Sequence, residues 1–253
     1  MRQPARVPTR LDETLLKSRF TVGPTLGVGS FGRVVRAHDR VLDRDVAVKL
    51  IAVPLDREGS PGTEALLAEA RLASAAGPSA IAVHDVLTSD DGIAVVMELI
   101  PRGSLLGAVR AGTPEATARQ LAVATVASMA SVHRSGILHL DLHPGNLLLR
   151  QDDTIAVGDF GLARFAYRRG LSRGAHEMIW TAPELLDYRV ASKQADVFAL
   201  GLILRWIGRR AGFSFGSFVE QATAVDRRER PVDAVALLEA LRADVTARTG
   251  GRT

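Results

Sequence analysis

The chain contains no cysteine, which excludes disulfides and every cysteine-based metal site and fits a reducing cytoplasm. Aromatic residues make up only 5% of it, and no stacking motif stands among its scattered arginines, so no nucleic-acid partner is expected. Long apolar runs are missing as well. Ile93–Met97 is interrupted by Glu98 and Val197–Leu204 is stopped by Arg205, far short of the roughly 18 residues a spanning helix needs. The N-terminus is polar and basic and lacks the apolar core of a signal peptide. These absences predict a cytoplasmic chain with no membrane span.

Lysine is the other scarcity. Only Lys17, Lys49 and Lys193 occur, and every other basic residue is arginine, a usage that points to a GC-rich, bacterial genome. Against that background the lysine of Val46-Ala-Val-Lys49 stands out. An ammonium on a flexible stem is a compact point charge that fits between two phosphates, which a planar guanidinium does not do in the same way. The remaining composition is that of an ordinary globular protein: 253 residues, 47% apolar, 24% charged, net charge +4.

Periodicity and punctuation divide the chain into two parts. Residues 1–14 read as a flexible basic arm, 15–100 as a small β-rich lobe, 101–248 as a helical lobe and 249–253 as a tail. Residues 20–54 alternate β-branched positions around a glycine loop, predicting a hairpin and a third strand. Thr63–Ala76 reads as a helix stopped by Gly77-Pro78, with strands over Ile81–Leu87 and Ile93–Ile100. Pro101-Arg-Gly103 punctuates the chain as a hinge. Pro114–Arg134 reads as a long amphipathic helix with Leu121, Thr125, Met129 and Val132 on one face. Short strands over Leu147–Leu149 and Ile155–Val157 flank the turn Gln151-Asp-Asp153. Helices are predicted over Val197–Arg209, Phe215–Val225 and Val232–Ala247.

The chemistry concentrates in His139-Leu-Asp-Leu-His-Pro-Gly-Asn146, followed by Asp159-Phe160-Gly161. Asp141, Asn146 and Asp159 stand five and thirteen residues apart. Phosphoryl transfer from a nucleotide needs an acceptor hydroxyl held in line and polyphosphate charge neutralised by metal. One carboxylate for the hydroxyl, with an amide oxygen and a second carboxylate for Mg²⁺, is a minimal set for that. Upstream, Gly27-Val-Gly-Ser-Phe-Gly32-Arg-Val34 is a glycine loop between β-like segments. Glycines there let backbone amides approach phosphate oxygens, although the pattern alone also marks dinucleotide sites.

Taken together these motifs resemble the protein kinases: a glycine-rich loop, the lysine strand Val46–Lys49, the catalytic loop, Asp159-Phe-Gly, Ala182-Pro-Glu184, the helix start Asp196-Val-Phe-Ala-Leu-Gly201 and a late Arg230-Pro231. The resemblance runs from about residue 20 to 245. It implies a two-lobed α+β kinase-like fold with a shortened substrate-docking region, since the stretch from Asp196 to Arg230 is short. It implies ATP and Mg²⁺ as cofactors and a protein substrate bearing a Ser/Thr hydroxyl. In that reading Asp141 orients the acceptor, Asn146 and Asp159 hold the metal, and Lys49 holds the phosphates with Glu69 as its partner, Glu64 being the rival. Leu26, Gly27, Val28, Gly29, Ser30, Phe31 and Gly32 cover the nucleotide. Met97 guards the back of the adenine pocket, Glu98 and Ile100 offer backbone hydrogen bonds, and Val34, Ala47 and Leu148 sandwich the ring. His143 takes the position of a lysine that contacts the transferred phosphate, and Arg230 pairs with Glu184.

Departures from the family pattern qualify this. The arginine usually before the catalytic aspartate is Leu140, so a phosphate on Ser172 or Thr181 has no docking site there; activity independent of activation-segment phosphorylation is expected. A threonine near Ala-Pro-Glu is replaced by Glu177. Leu142-His-Pro-Gly-Asn146 is also the form seen in small-molecule kinases resembling aminoglycoside phosphotransferases. Two alternatives therefore stand beside the main one: a small-molecule kinase and a nucleotide-binding pseudokinase that acts as an interaction module.

Overall fold

The computed structural model describes residues 16, 18–29, 32–51, 71–89, 92–160, 179–187 and 190–250. Two compact units account for them, one within Met1–Arg71 and Ala82–Leu99, the other within Leu72–Ile81 and Ile100–Thr253.

The first unit is an antiparallel sheet of five strands: β1 Phe20–Gly29, β2 Gly32–Asp39, β3 Arg44–Ile51, β4 Val83–Ser89 and β5 Gly92–Glu98, in the order β1-β2-β3-β5-β4. β2 alternates as its sequence demands, with Val35 and Ala37 buried and Arg36 exposed. Those two side chains join Leu16, Phe20, Val46, Val48, Leu50, Ala94 and Val96 in one apolar cluster. The central strand β3 is buried on both faces, so Ala47 and Lys49, pointing the other way, are also covered. Pro24 sits where the β1–β2 register slips, which suits a residue with no N–H on an edge strand.

A part-buried ion cluster closes this unit. The Arg19 guanidinium donates to Asp39 through Nε (3.0 Å) and Nη2 (2.7 Å) and to Asp85 through Nη1 (2.7 Å). Asp39 also accepts from the Val41 and Leu42 amides, which fixes the β2–β3 turn. The Arg19 hydrogen bonds, helped by the two amides, hold the Asp39 carboxyl down at about 2.

The second unit is helical. Its helices are α1 Leu105–Arg110, α2 Glu115–Arg134, α3 Pro183–Asp187, α4 Lys193–Ala211, α5 Phe218–Ala222 and α6 Ala234–Gly250; β6 Leu147–Leu149 and β7 Ile155–Val157 form a hairpin. α2 buries Leu121, Thr125, Met129 and Val132, the face its periodicity predicts, and packs against α4 and α6. α4 and α5 approach closely at Gly201, where any Cβ would lie 2.7 Å from the Thr223 methyl.

Residues 71–75 are helical, and Gly77–Ser79 continues as a 3₁₀ turn that groups with this unit. The reason is a set of hydrogen bonds. The Ile81 N–H donates to the Val157 carbonyl (2.9 Å), and the Arg150 guanidinium holds the carbonyls of Pro78 (2.8 Å) and Ala80 (2.9 Å).

Two helices differ from the periodicity. α4 starts four residues before Val197, because Ser192 caps it, its Oγ accepting from the Ala195 N–H at 3.2 Å. The helix expected over Phe215–Val225 shrinks to α5. Phe213 and Phe215 pack edge-on with centroids 4.9 Å apart, under the guanidinium of Arg119, and at the other end Arg230 draws off the carbonyls of Ala224 and Val225. Only α5 and a 3₁₀ turn at Arg227–Glu229 lie between α4 and α6.

Candidate active site

The segment from His139 to Asn146 leaves α2 without regular structure, and Asp196 shapes it. This carboxylate, at the first turn of α4, is 1% exposed. One oxygen accepts from the Leu140 N–H (2.7 Å), the other from the His139 N–H (2.9 Å). The second oxygen also lies 3.1 Å from His133 Nε2. His133 Nδ1 accepts from the Ala234 N–H (3.0 Å), so the ring is the Nε2–H tautomer and donates to Asp196. A buried carboxylate with three donors is satisfied; it bends the loop so far that Leu140 takes φ +65°.

His139 makes the next link. Its Nδ1 accepts from the Asp141 N–H (3.2 Å), leaving Nε2–H to donate to the Gly158 carbonyl (2.8 Å). The imidazole therefore joins the backbone of Asp141 to the residue before Asp159, and its ring packs 5.0 Å from that of Phe160. Asn146 closes the constellation: Nδ2 donates to the Asp141 carbonyl (3.0 Å), and its own carbonyl accepts from the Gly158 N–H (2.8 Å). Asp159 stands at φ +60°. Asp141, Asn146 and Asp159, five and thirteen residues apart in sequence, are thus gathered by one hydrogen-bond network. His143 sits at the edge of the loop, its Nδ1 accepting from the Gly145 N–H (3.1 Å), and Gly145 has no room for a Cβ, which would lie 2.8 Å from the imidazole.

Behind Asp141, Leu140 packs with Ala182, Leu185 and Ala195. Farther along, Arg230 grips Glu184 with two parallel bonds, Nη1–Oε1 at 2.8 Å and Nη2–Oε2 at 3.0 Å. The sequence-predicted Glu184–Arg230 pair is therefore formed.

In the first unit, register puts Val34 opposite Lys49 and Ala47 opposite Met97. Since alternate residues of a strand share a face, Val34, Ala47, Lys49 and Met97 line the sheet face opposite the apolar cluster. Gly27, Val28 and Gly29 end β1, with Leu26 and Val28 exposed, and Gly32 opens β2 at φ +151°, where a side chain would run into the Leu50 carbonyl oxygen. Glu98 ends β5, its N–H on the Ala82 carbonyl and its Oε2 accepting from the Ala82 N–H (3.4 Å). Ile100 and Leu148 belong to the second unit, Leu148 on β6. Ser30, Phe31, Glu64 and Glu69 lie outside the described residues, as do Ser172 and Glu177.

His133 was not among the residues singled out in the sequence. A histidine on the buried face of α2, six residues before His139, is the only trace it leaves there.

The protein kinase domain model matches residues 20–222, most of the chain. The chain belongs to the protein kinase domain family. Among similar proteins, this kinase domain is 32% identical over 195 residues to calcium/calmodulin-dependent protein kinase type 1B of Homo sapiens, covering 74% of this chain and 56% of that protein. It is 31% identical over 208 residues to CBL-interacting serine/threonine-protein kinase 7 of Arabidopsis thaliana, covering 79% and 48%. A probable serine/threonine-protein kinase of Streptomyces coelicolor shares 29% over 203 residues, 75% of this chain and 30% of that protein. The kinase domain spans about half the length, or less, of these curated relatives.

Proposed function

We propose that this kinase domain transfers the γ-phosphate of ATP to a serine or threonine hydroxyl of a protein, with Mg²⁺ as its metal. The observation that carries the proposal is the His139–Asp196–Asn146 network, which gathers Asp141 and Asp159 and sets their backbone. A loop without catalytic demand gains nothing from a strained Leu140 and two oriented imidazoles.

In this reading Asp141 accepts the hydrogen bond of the acceptor hydroxyl and takes its proton as the hydroxyl oxygen bonds to the γ-phosphorus and the bond from that phosphorus to the β–γ bridging oxygen breaks, releasing ADP. Asn146 suits a metal ligand, because its Nδ2 is committed to the Asp141 carbonyl, so Oδ1 is the amide atom left for a cation. With the Asp159 carboxylate this makes an all-oxygen donor set, the kind Mg²⁺ prefers. Mg²⁺ there supplies neutralisation of phosphate charge. Lys49 contributes the second positive charge, oriented by Glu69, and residues 27–32 cover the phosphates. Leu26, Val34, Ala47, Met97 and Leu148 form the walls for adenine, and the backbones of Glu98 and Ile100 read its edge. His143 donates toward the transferred phosphoryl group.

Phosphorylation of the activation segment is not required. At Leu140, where an arginine would bind a phosphate, an apolar side chain is buried against Ala182 and Leu185. That contact holds the segment's end without any charge. The protein rather than small-molecule acceptor is favoured by the Glu184–Arg230 pair, which braces Ala182-Pro-Glu184.

The test is Mg²⁺-dependent binding of ATP together with transfer of labelled γ-phosphate to a general protein acceptor, in wild type and Asp159→Asn. Label on seryl or threonyl residues that Asp159→Asn abolishes, with Mg²⁺ no longer tightening ATP binding, is expected. Transfer to hydroxylated metabolites alone, or none at all, overturns the proposal.

A further inference from the structure

His143 opens a tight turn. The Asn146 N–H donates to the His143 carbonyl (3.0 Å), with Pro144 and Gly145 at the corners between them. The Leu106 N–H donates to the Pro144 carbonyl (3.0 Å) and ties the turn to α1. Within the turn the His143 ring folds back on its own chain, Nδ1 accepting from the Gly145 N–H at 3.1 Å. Asp and Asn side chains often close a turn this way, onto the amide two residues on. Here an imidazole does it.

The backbone does not call for a glycine at this corner. Proline suits the second position of such a turn, and the third accepts most residues provided that φ is negative. Gly145 lacks the positive φ that Gly103, Gly112 and Gly136 adopt at 72°, 95° and 75°. What a side chain would meet instead is the ring. A Cβ on Gly145 would lie 2.8 Å from His143 Cε1 and 2.9 Å from Nδ1. The carbonyls on either side of Pro144 are both held, so the ring rather than the backbone must give way.

We infer that Gly145 is a positioning residue for His143. Having no side chain, it leaves the space in which the imidazole lies against the turn. With Nδ1 as the acceptor, the neutral ring carries its proton on Nε2. The hydrogen that His143 donates in the kinase reading is then the one on Nε2, and its direction is set by the turn. A lysine at this position would be a cation on a flexible stem, with no such direction. The kinetic consequence rests on the kinase reading; the seating of the ring does not.

The test uses the full chain labelled with ¹⁵N-histidine, as wild type, Gly145→Ala, His143→Ala and the double variant, with thermal unfolding as a check of folding. His143→Ala identifies the His143 nitrogens by their loss from the spectrum. In the wild type they should show the Nε2–H tautomer, with Nδ1 bare and accepting; in Gly145→Ala they should average between the two tautomers. With Mg²⁺–ATP and a protein acceptor, Gly145→Ala should lower kcat about tenfold with ATP binding unchanged. Added to His143→Ala, where the ring is gone and a Cβ has room, it should cost less than about twofold. The same tautomer in wild type and Gly145→Ala overturns the inference, whether or not phosphate is transferred. So does a Gly145→Ala loss as large in the His143→Ala background as on its own, because the glycine would then serve the backbone. A wild type that transfers nothing, with tautomers that differ as expected, would overturn the kinase reading and leave the seating of His143 standing.

Discussion

Arg230 holds Glu184 in a bidentate pair and turns its remaining three N–H groups on the carbonyls of Ala224, Gln194 and Val225. All five guanidinium donors are satisfied inside the protein, and the plane packs 4.7 Å from the centre of the Phe198 ring. Only a planar fork can do this. Three pieces of chain meet at one side chain: the residues after the activation segment, the start of α4 and the chain after α5.

Removing it strips the Glu184 carboxylate and the carbonyls of Ala224, Gln194 and Val225 of the bonds it donates. Arg230→Met should therefore destabilise the protein by about 3–5 kcal/mol, the usual cost of breaking a buried pair from one side. Arg230→Lys should not rescue it, since an ammonium has three donors and no fork. Urea unfolding of the three proteins measures this, and a loss indistinguishable from zero in Arg230→Met would contradict it.

Asp196→Asn is nearly isosteric but replaces one acceptor oxygen with an NH₂ facing a backbone N–H. At least one of the bonds from His139, Leu140 and His133 must be lost, and each bond to a buried charge is worth about 1.5–3 kcal/mol. The expected result is a lower melting temperature together with a fall in phosphoryl transfer, because Asp141 and Asn146 hang from the same loop. ATP binding should be far less affected. Unchanged transfer in a variant of lowered stability would show that the loop does not need this anchor.

Stability in acid should report Asp39. Its carboxyl is held at about 2, below the ordinary 3.8, chiefly by the Arg19 guanidinium. A depressed folded-state value contributes stability that is fully present above the unfolded value and is lost as pH falls through the folded one. The melting temperature of the wild type should therefore exceed that of Asp39→Asn above about pH 4, and the gap should narrow between about pH 4 and pH 2. A gap constant across that window would contradict the assignment.

Ser172→Ala combined with Thr181→Ala should leave phosphoryl transfer within a small factor of wild type. Leu140→Ala, by contrast, opens a cavity among Ala182, Leu185 and Ala195 and should cost about 2–5 kcal/mol of stability. Abolition of transfer in a folded Ser172/Thr181 double variant would show that a phosphate is needed after all.

Much of this arrangement was legible in the sequence where structure is local. β6 and β7 fall on Leu147–Leu149 and Ile155–Val157 because two short apolar runs flank an acidic turn. The buried face of α2 follows from a 3.6-residue period. Features built from distant pairs were not legible. Arg19 reaches Asp39 and Asp85 across 20 and 66 residues, and His133 meets Ala234 across 101. No spacing rule reports such pairs. The true start of α4 was hidden because its capping serine precedes the apolar period, and α5 is short because tertiary contacts of Phe215 and Arg230 outcompete helix propensity at both of its ends. At the site, the motifs pointed to Asp141, Asn146 and Asp159 and to a helix start at Asp196 that anchors their loop; the hydrogen bonds by which His133 and His139 take part emerge only from the fold.

The most direct test of the central claim is transfer of γ-labelled phosphate from Mg²⁺–ATP to a protein acceptor by wild type beside Asp141→Asn. The account predicts label on serine or threonine with the wild type, and a loss of at least about a hundredfold in Asp141→Asn with ATP binding intact. Transfer that survives in Asp141→Asn, or a wild type that binds ATP and transfers nothing, would contradict it.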